Sequence, residues 1–285
     1  MQETTIAPDP SLQVMPDHTQ LPETDGTFVQ NYQEYPQSEL LTGSLLPRLH
    51  ELHPDGQFAI GQDSGIYWRH MNPPLQGCKA PDWFYIPNVP PMLNGEIRRS
   101  YVLWKERIPP LIVIEYVSGD GSEERDRTPN TGKFWVYENG IGAEYYAISD
   151  ARKPVLEVYH LVDGHYVLLP TNAAGRIPIP PLGVELGLWE GTFRDMPALW
   201  MRVWDSKTGK ILPSLDEQTE AERRRADKEK QRADKENQRA KKEKERADTS
   251  ESLLDDTRKM LDDEADVVRR MAQRLRELGV DPGTV

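Results

Sequence analysis

The run Leu111-Ile112-Val113-Ile114-Glu115-Tyr116-Val117 constrains this chain more than any other segment. In an extended backbone, alternate side chains put Leu111, Val113, Glu115 and Val117 on one face and Ile112, Ile114 and Tyr116 on the other. Both faces are apolar except at Glu115. That pattern belongs to a central strand covered on both sides, as in α/β folds. A carboxylate in such surroundings costs several kcal/mol if it stays charged and alone, so Glu115 needs a partner.

Two further charged residues stand where they can answer it. Asp82 opens the apolar run Trp83-Phe84-Tyr85-Ile86 after Ala80-Pro81, and Lys133 begins Lys133-Phe134-Trp135-Val136-Tyr137 after Gly132. A divalent metal shared by Asp82 and Glu115 would satisfy the buried charge. The plainer alternative is a structural ion pair of Glu115 with Lys133 or Arg125. A short helix over Lys133 to Asn139 places Tyr137 one turn beyond Lys133 on the same face, where packing is its simplest role. Glu39, on an upstream helix, is a further acid that could reach a metal through water, although a solvent-facing role is the simpler one.

Composition removes several function classes. Cys78 is the single cysteine, so neither an internal disulfide nor a thiolate zinc site can form. His50-Glu51-Leu52-His53 lacks the histidine spacing of a zinc-protease helix, and no phosphate loop ending in Gly-Lys-Ser/Thr occurs. No apolar run approaches the ~20 residues of a membrane span. With no basic-then-apolar leader, a cytoplasmic protein is expected. The net charge of −12 argues against a protein that coats nucleic acid by bulk electrostatics. A site that neutralises phosphate locally remains open to it.

Along the chain, residues 1–24 read as a flexible leader, 25–213 as the folded domain, 214–279 as a charged heptad helix and 280–285 as a tail. From Ser38, Leu41, Leu45, Leu46, Leu49 and Leu52 follow helical spacing, with Pro47 as a kink or first-turn signal. Two short strands fall in Gln57 to Trp68, and another carries Asp82. Glu144 to Ser149 is a strand, and Asp163-Gly164 joins Val155–Leu161 to His165–Leu169 in a hairpin. A second hairpin, around Lys207 to Lys210, is expected to join Leu199–Trp204 to Ile211-Leu212. The order predicts a mixed sheet flanked by helices.

Beyond Pro213, Arg225-Ala226-Asp227-Lys228-Glu229-Lys230-Gln231 recurs with variation at Arg232 and Arg239. The same register runs through Ala247, Leu254, Leu261, Val268 and Leu275, with Met271 and Leu278 adding a second seam position. One alanine per heptad buries little, so 253–278 is the expected association segment, able to pair two chains as a homodimer. Gly279 and Pro282 stop the helix.

Ala80-Pro81-Asp82, Val113-Ile114-Glu115-Tyr116-Val117-Ser118, Arg125-Asp126, and Lys133 to Tyr146 with its Lys-x-x-x-Tyr and Glu-Tyr-Tyr resemble the PD-(D/E)XK nuclease superfamily. Within it, residues from about Leu21 to Leu212 resemble the bacterial "putative restriction endonuclease" family. Asp163-Gly164-His165-Tyr166-Val167 resembles the hairpin that follows in that family. The resemblance implies a restriction-endonuclease-like fold and a Mg²⁺-dependent (or Mn²⁺-dependent) endonuclease acting on DNA. Asp82 and Glu115 would hold the metal, and a lysine would orient water or neutralise charge. The superfamily's usual lysine position, two beyond the acid, is Val117 here; the resemblance points instead to Lys133 on the next helix. Two other readings stand beside this one. The fold could carry a defunct site and bind nucleic acid or protein without cleaving, or the chain could act as an interaction protein through its coiled-coil tail.

Overall fold

A computed structural model describes residues 15–22, 32–117, 119–150, 152–279 and 283. The expected leader (1–24) and tail (280–285) fall largely outside these residues. The described stretch 15–22 is packed rather than loose: Leu21 is buried, and the Tyr67 hydroxyl donates to the Pro22 carbonyl at 2.7 Å. Contacts divide the chain into two units, 1–218 and 219–285.

The first unit is built on a six-stranded mixed sheet. In chain order its strands are β1 (Phe58–Gly61), β4 (Trp83–Pro87), β6 (Ile112–Tyr116), β7 (Tyr145–Asp150), β8 (Val155–Val162) and β9 (His165–Leu168), and they lie side by side in that same order. Only the β6–β7 pair is parallel. All five β6 residues are buried, as its two apolar faces require. Ile112, Ile114 and Tyr116 enter one core with Leu41, Leu45, Trp83 and Tyr85. Val113 and Val117 enter the other, with Phe84, Phe134, Tyr137 and Ile148. The β8–β9 hairpin turns on Asp163 and Gly164, both at positive φ, as a primed turn demands.

Helix α1 (Glu34–Leu52) starts one turn earlier than its leucine spacing suggests and runs through Pro47. A proline inside a helix costs about 3 kcal/mol. Burial of Leu40, Leu41, Leu45 and Leu49, at roughly 1.5–3 kcal/mol each, outweighs it.

Two small sheets were not anticipated. One joins β2 (Ile66–Tyr67), β3 (Cys78–Lys79) and β5 (Tyr101–Val102), ahead of the short α2 (Leu103–Glu106). The other joins β10 (Ile177–Ile179), β11 (Val184–Phe193) and β12 (Met196–Asp205). The hairpin partner of β12 is therefore β11, through Arg194-Asp195. The expected pairing with Ile211-Leu212 reduces to the single bridge Trp204–Ile211. Gln37 ties α1 to this second sheet by closing both hydrogen bonds of Met201: its amide donates to the Met201 carbonyl, and its carbonyl accepts from the Met201 N–H, each at 2.9 Å.

The long helix α4 (Leu215–Glu277) starts with a capping box. The Ser214 hydroxyl accepts from the Glu217 N–H at 3.2 Å while Glu217 accepts from the Ser214 N–H at 2.7 Å. The buried Arg202 donates to the same Glu217 carboxylate at 2.7 Å and to the Leu212 carbonyl at 3.0 Å. In the second unit none of the helix residues is buried. Leu254, Leu261, Val268, Met271 and Leu278 are all exposed. Pairs such as Glu220–Arg224 and Asp266–Arg269 lie one turn apart, each worth a few tenths of a kcal/mol. Among the described residues no helix is long and apolar enough to cross a membrane.

Gln37→Leu should leave the Met201 N–H and C=O buried without partners and cost roughly 2–4 kcal/mol. Urea unfolding monitored by tryptophan fluorescence checks this; an unchanged midpoint would show that α1 docks through its leucines alone.

Candidate active site

Strand register brings the two acids together. Trp83 pairs with Ile114 in the antiparallel β4–β6 ladder, so one step further puts Asp82 across from Glu115. Alternation puts Asp82 on the side of Phe84 and Glu115 on the side of Val113, and both of those enter the same core. The Asp82 carboxylate accepts a short hydrogen bond from the Tyr116 N–H, which locks it to the end of β6.

Glu115 is 1 % exposed. Lys133, first residue of α3 (Lys133–Trp135), donates to its Oε2 at 2.9 Å, and Tyr137 donates a short hydrogen bond to its Oε1. The helix continues as a wider π turn over Val136–Ile141. One turn of helix thus delivers both donors to one carboxylate, and Tyr137 is more than a packing residue. Lys133 also pairs with Glu123 at 3.3 Å. Arg125, the other candidate partner for Glu115, instead grips Glu157 at 2.8 Å.

The electrostatics are strained. Burial and then the neighbouring Glu115 charge push the Asp82 carboxyl up to about 9. Burial raises Glu115 as well, against the pull of Lys133. Burial alone would lower the Lys133 ammonium, but the Glu115 charge and hydrogen bond overcome it and hold it above the usual lysine range. Burial drives the Tyr137 hydroxyl well above its ordinary value, with the Glu115 charge adding to it.

Glu34, in the first turn of α1, is a third acid at this site that sequence reasoning missed. It is half-buried, and its carboxyl is raised by burial, then by Asp63 and Glu115. One turn on, Ser38 donates to the Asp82 carbonyl at 3.3 Å. A helix begun at Glu34, with Pro36 in its first turn, would have put Glu34 and Ser38 on one face. Glu39, the helix acid singled out from sequence, is instead tied to Arg194.

Among the described residues no three His, Cys, Asp or Glu side chains are grouped closely enough to hold a metal ion by themselves. Two carboxylates still fit a Mg²⁺-type ion, which keeps several waters and takes other ligands from a phosphate. The raised Asp82 carboxyl supports that fit, since burial and then the Glu115 charge raise it, and a cation between the acids would offset both.

The arrangement is thus a mixed sheet with Glu115 on β6, Asp82 immediately before β4 rather than within it, and Lys133 opening the next helix. The family model described as "Uma2: Putative restriction endonuclease" matches residues 15–197. The chain belongs to that family. Among similar solved structures is "a putative nuclease belonging to DUF820 from Anabaena variabilis", 16% identical, covering 55% of this chain and 76% of that one, with a TM-score of 0.37. No curated protein matches the chain.

Asp82 binds more protons folded than unfolded, so its contribution is fully present below about pH 4 and is lost as pH rises through about 9. In chelator, Asp82→Asn should therefore gain stability over the native protein progressively across that window. Melting temperatures of the two proteins against pH check this, and parallel curves would contradict the raised carboxyl.

Proposed function

We propose that this protein is a metal-dependent endonuclease that hydrolyses phosphodiester bonds of DNA. The observation that carries the reading is the juxtaposition of Asp82, at the entry to β4, with Glu115 on β6, and Lys133 on Glu115, in a chain of this family. Asp82 and Glu115 would hold Mg²⁺ or Mn²⁺ through hard oxygen ligands. The bound ion would supply Lewis acidity at the scissile phosphate and a more acidic water.

The chain's own residues have separable tasks. Asp82 would release its proton on ion binding, and the Tyr116 N–H would keep the carboxylate aimed from the end of β6. Lys133 and Tyr137 would hold the Glu115 oxygens in one orientation. Lys133 would keep its proton throughout and add positive charge beside the phosphate. Glu34 would face the same space from α1 and reach an ion through water.

A second reading has its own support. Both Glu115 oxygens already have donors, which is also how a buried acid is satisfied in a site that no longer cleaves. In that case the domain binds nucleic acid or protein without turnover.

The tail adds a proposal about assembly. From Leu253 to Leu278 the apolar residues recur along one side of α4 and are exposed or half-buried. Asp255, Asp256, Asp262, Asp263, Glu264 and Asp266 outweigh Arg258 and Lys259 in the first part of this segment, whereas Arg269, Arg270, Arg274 and Arg276 outweigh Glu277 in the last. The segment is therefore complementary to a second copy of itself running antiparallel, and a homodimer forms through it.

Purified protein should nick or degrade DNA with Mg²⁺ or Mn²⁺ and stop in chelator. Asp82→Asn, Glu115→Gln and Lys133→Ala should each lower the rate by at least about a hundredfold. Undiminished cleavage by all three would remove the site; an inactive native protein that still binds DNA would favour the second reading. Sedimentation should show a dimer that becomes a monomer when 253–278 is deleted, and identical monomers for both would end the tail proposal.

A further inference from the structure

A second lysine stands on the same face of the fold as the acids. Lys79, on β3, pairs directly with Ile66 of β2, so the two side chains stand on one side of their sheet. Ile66 is fully buried in the core that also holds Phe134 and Tyr137. The β2–β3 strands are fastened to the segment that bears Lys133. Trp68 donates from its backbone to the Gly77 carbonyl at 3.0 Å, and its ring meets Trp135 edge to face at 6.1 Å. The Arg69 guanidinium reaches the Asn130 side chain at 2.9 Å.

Lys79 is half-buried, and its ammonium has no hydrogen-bond or ion-pair partner among the described residues. Burial lowers its proton affinity, and Lys133 adds to that effect, while Glu115, Glu123 and Asp126 oppose it. These neighbours place the ammonium within electrostatic reach of Glu115, yet none of the three acids takes it. Lys133, by contrast, is committed twice, to Glu115 and to Glu123. A half-buried cation without a counter-ion is costly, and a structural role would have paired it.

We infer that Lys79 is the phosphate-binding lysine of this site: its ammonium takes a non-bridging phosphate oxygen of the DNA backbone, while Lys133 stays hydrogen-bonded to Glu115 and contributes only its charge. This deepens the nuclease reading above and rests on it. It divides between two strand-distant residues what a single lysine at position 117 would do, a position that Val117 fills with a buried apolar side chain. The bound group is a phosphodiester recognised by charge, so the contact is indifferent to base sequence.

The test is binding rather than turnover. Affinity for a fluorescent duplex oligonucleotide is measured by anisotropy with Ca²⁺ over a range of salt, for the native chain, Lys79→Met and Lys79→Arg. Lys79→Met should bind about tenfold more weakly, with a salt slope shallower by about one. Lys79→Arg should keep most of both. Melting temperature should not fall in Lys79→Met, because an unpaired cation is exchanged for an apolar stem of similar length. Equal affinity and slope for native and Met proteins would overturn the assignment while leaving the nuclease reading intact. A destabilised Met variant that Arg does not rescue would show Lys79 to be structural and would also overturn it. Failure of the native protein both to bind and to cleave would overturn both.

Discussion

The buried carboxylate of Glu115 is the constraint around which this domain is arranged. β6 must be central because both its faces are apolar, and a central strand gives an acid no access to bulk water. The fold therefore brings donors to it. A helix placed against β6 presents Lys133 and Tyr137 one turn apart to the two oxygens. Leaving either oxygen without a donor in this interior would cost several times the net value of the hydrogen bond that fills it. α3, the wider π turn that follows it and the core around Phe134 and Tyr146 hold these two donors in place.

Asp82 is what keeps this from being a closed structural ion pair. A single lysine balances a single glutamate; burial and then the Glu115 charge raise the carboxyl of the second acid across the ladder. Interiors seldom tolerate that arrangement unless something positive visits it. Glu115 thus has a donor on each oxygen, while Asp82 is held by the Tyr116 N–H.

The parts of the fold with strong local signals were readable from the chain. β6 announced itself through two apolar faces, the β8–β9 turn through Asp163-Gly164, and α4 through its heptads. The β11–β12 hairpin was hidden because its two-residue turn is Arg194-Asp195, both at positive φ without a glycine or asparagine to mark them. Gly191 hid β11 further; a Cβ there would stand 1.9 Å from the Trp189 ring, so packing rather than strand propensity chose it. In the site, Asp82, Glu115 and Lys133 stood out as charges in apolar runs. Glu34 did not, since it sits among polar residues and only its place in the first turn of α1 turns it inward. Lys79 was silent for the same reason: its neighbours in sequence say nothing of Ile66, which the register sets beside it.

Helix α1 touches two masters. Gln37 clasps the edge of β12, and the adjacent Ser38 reaches the backbone at Asp82, with Glu34 one turn before it. The remote β10–β12 layer is consequently a set-screw for the acid cluster. That layer and the backbone that enters β4 at Asp82 thus share one helix as their common support.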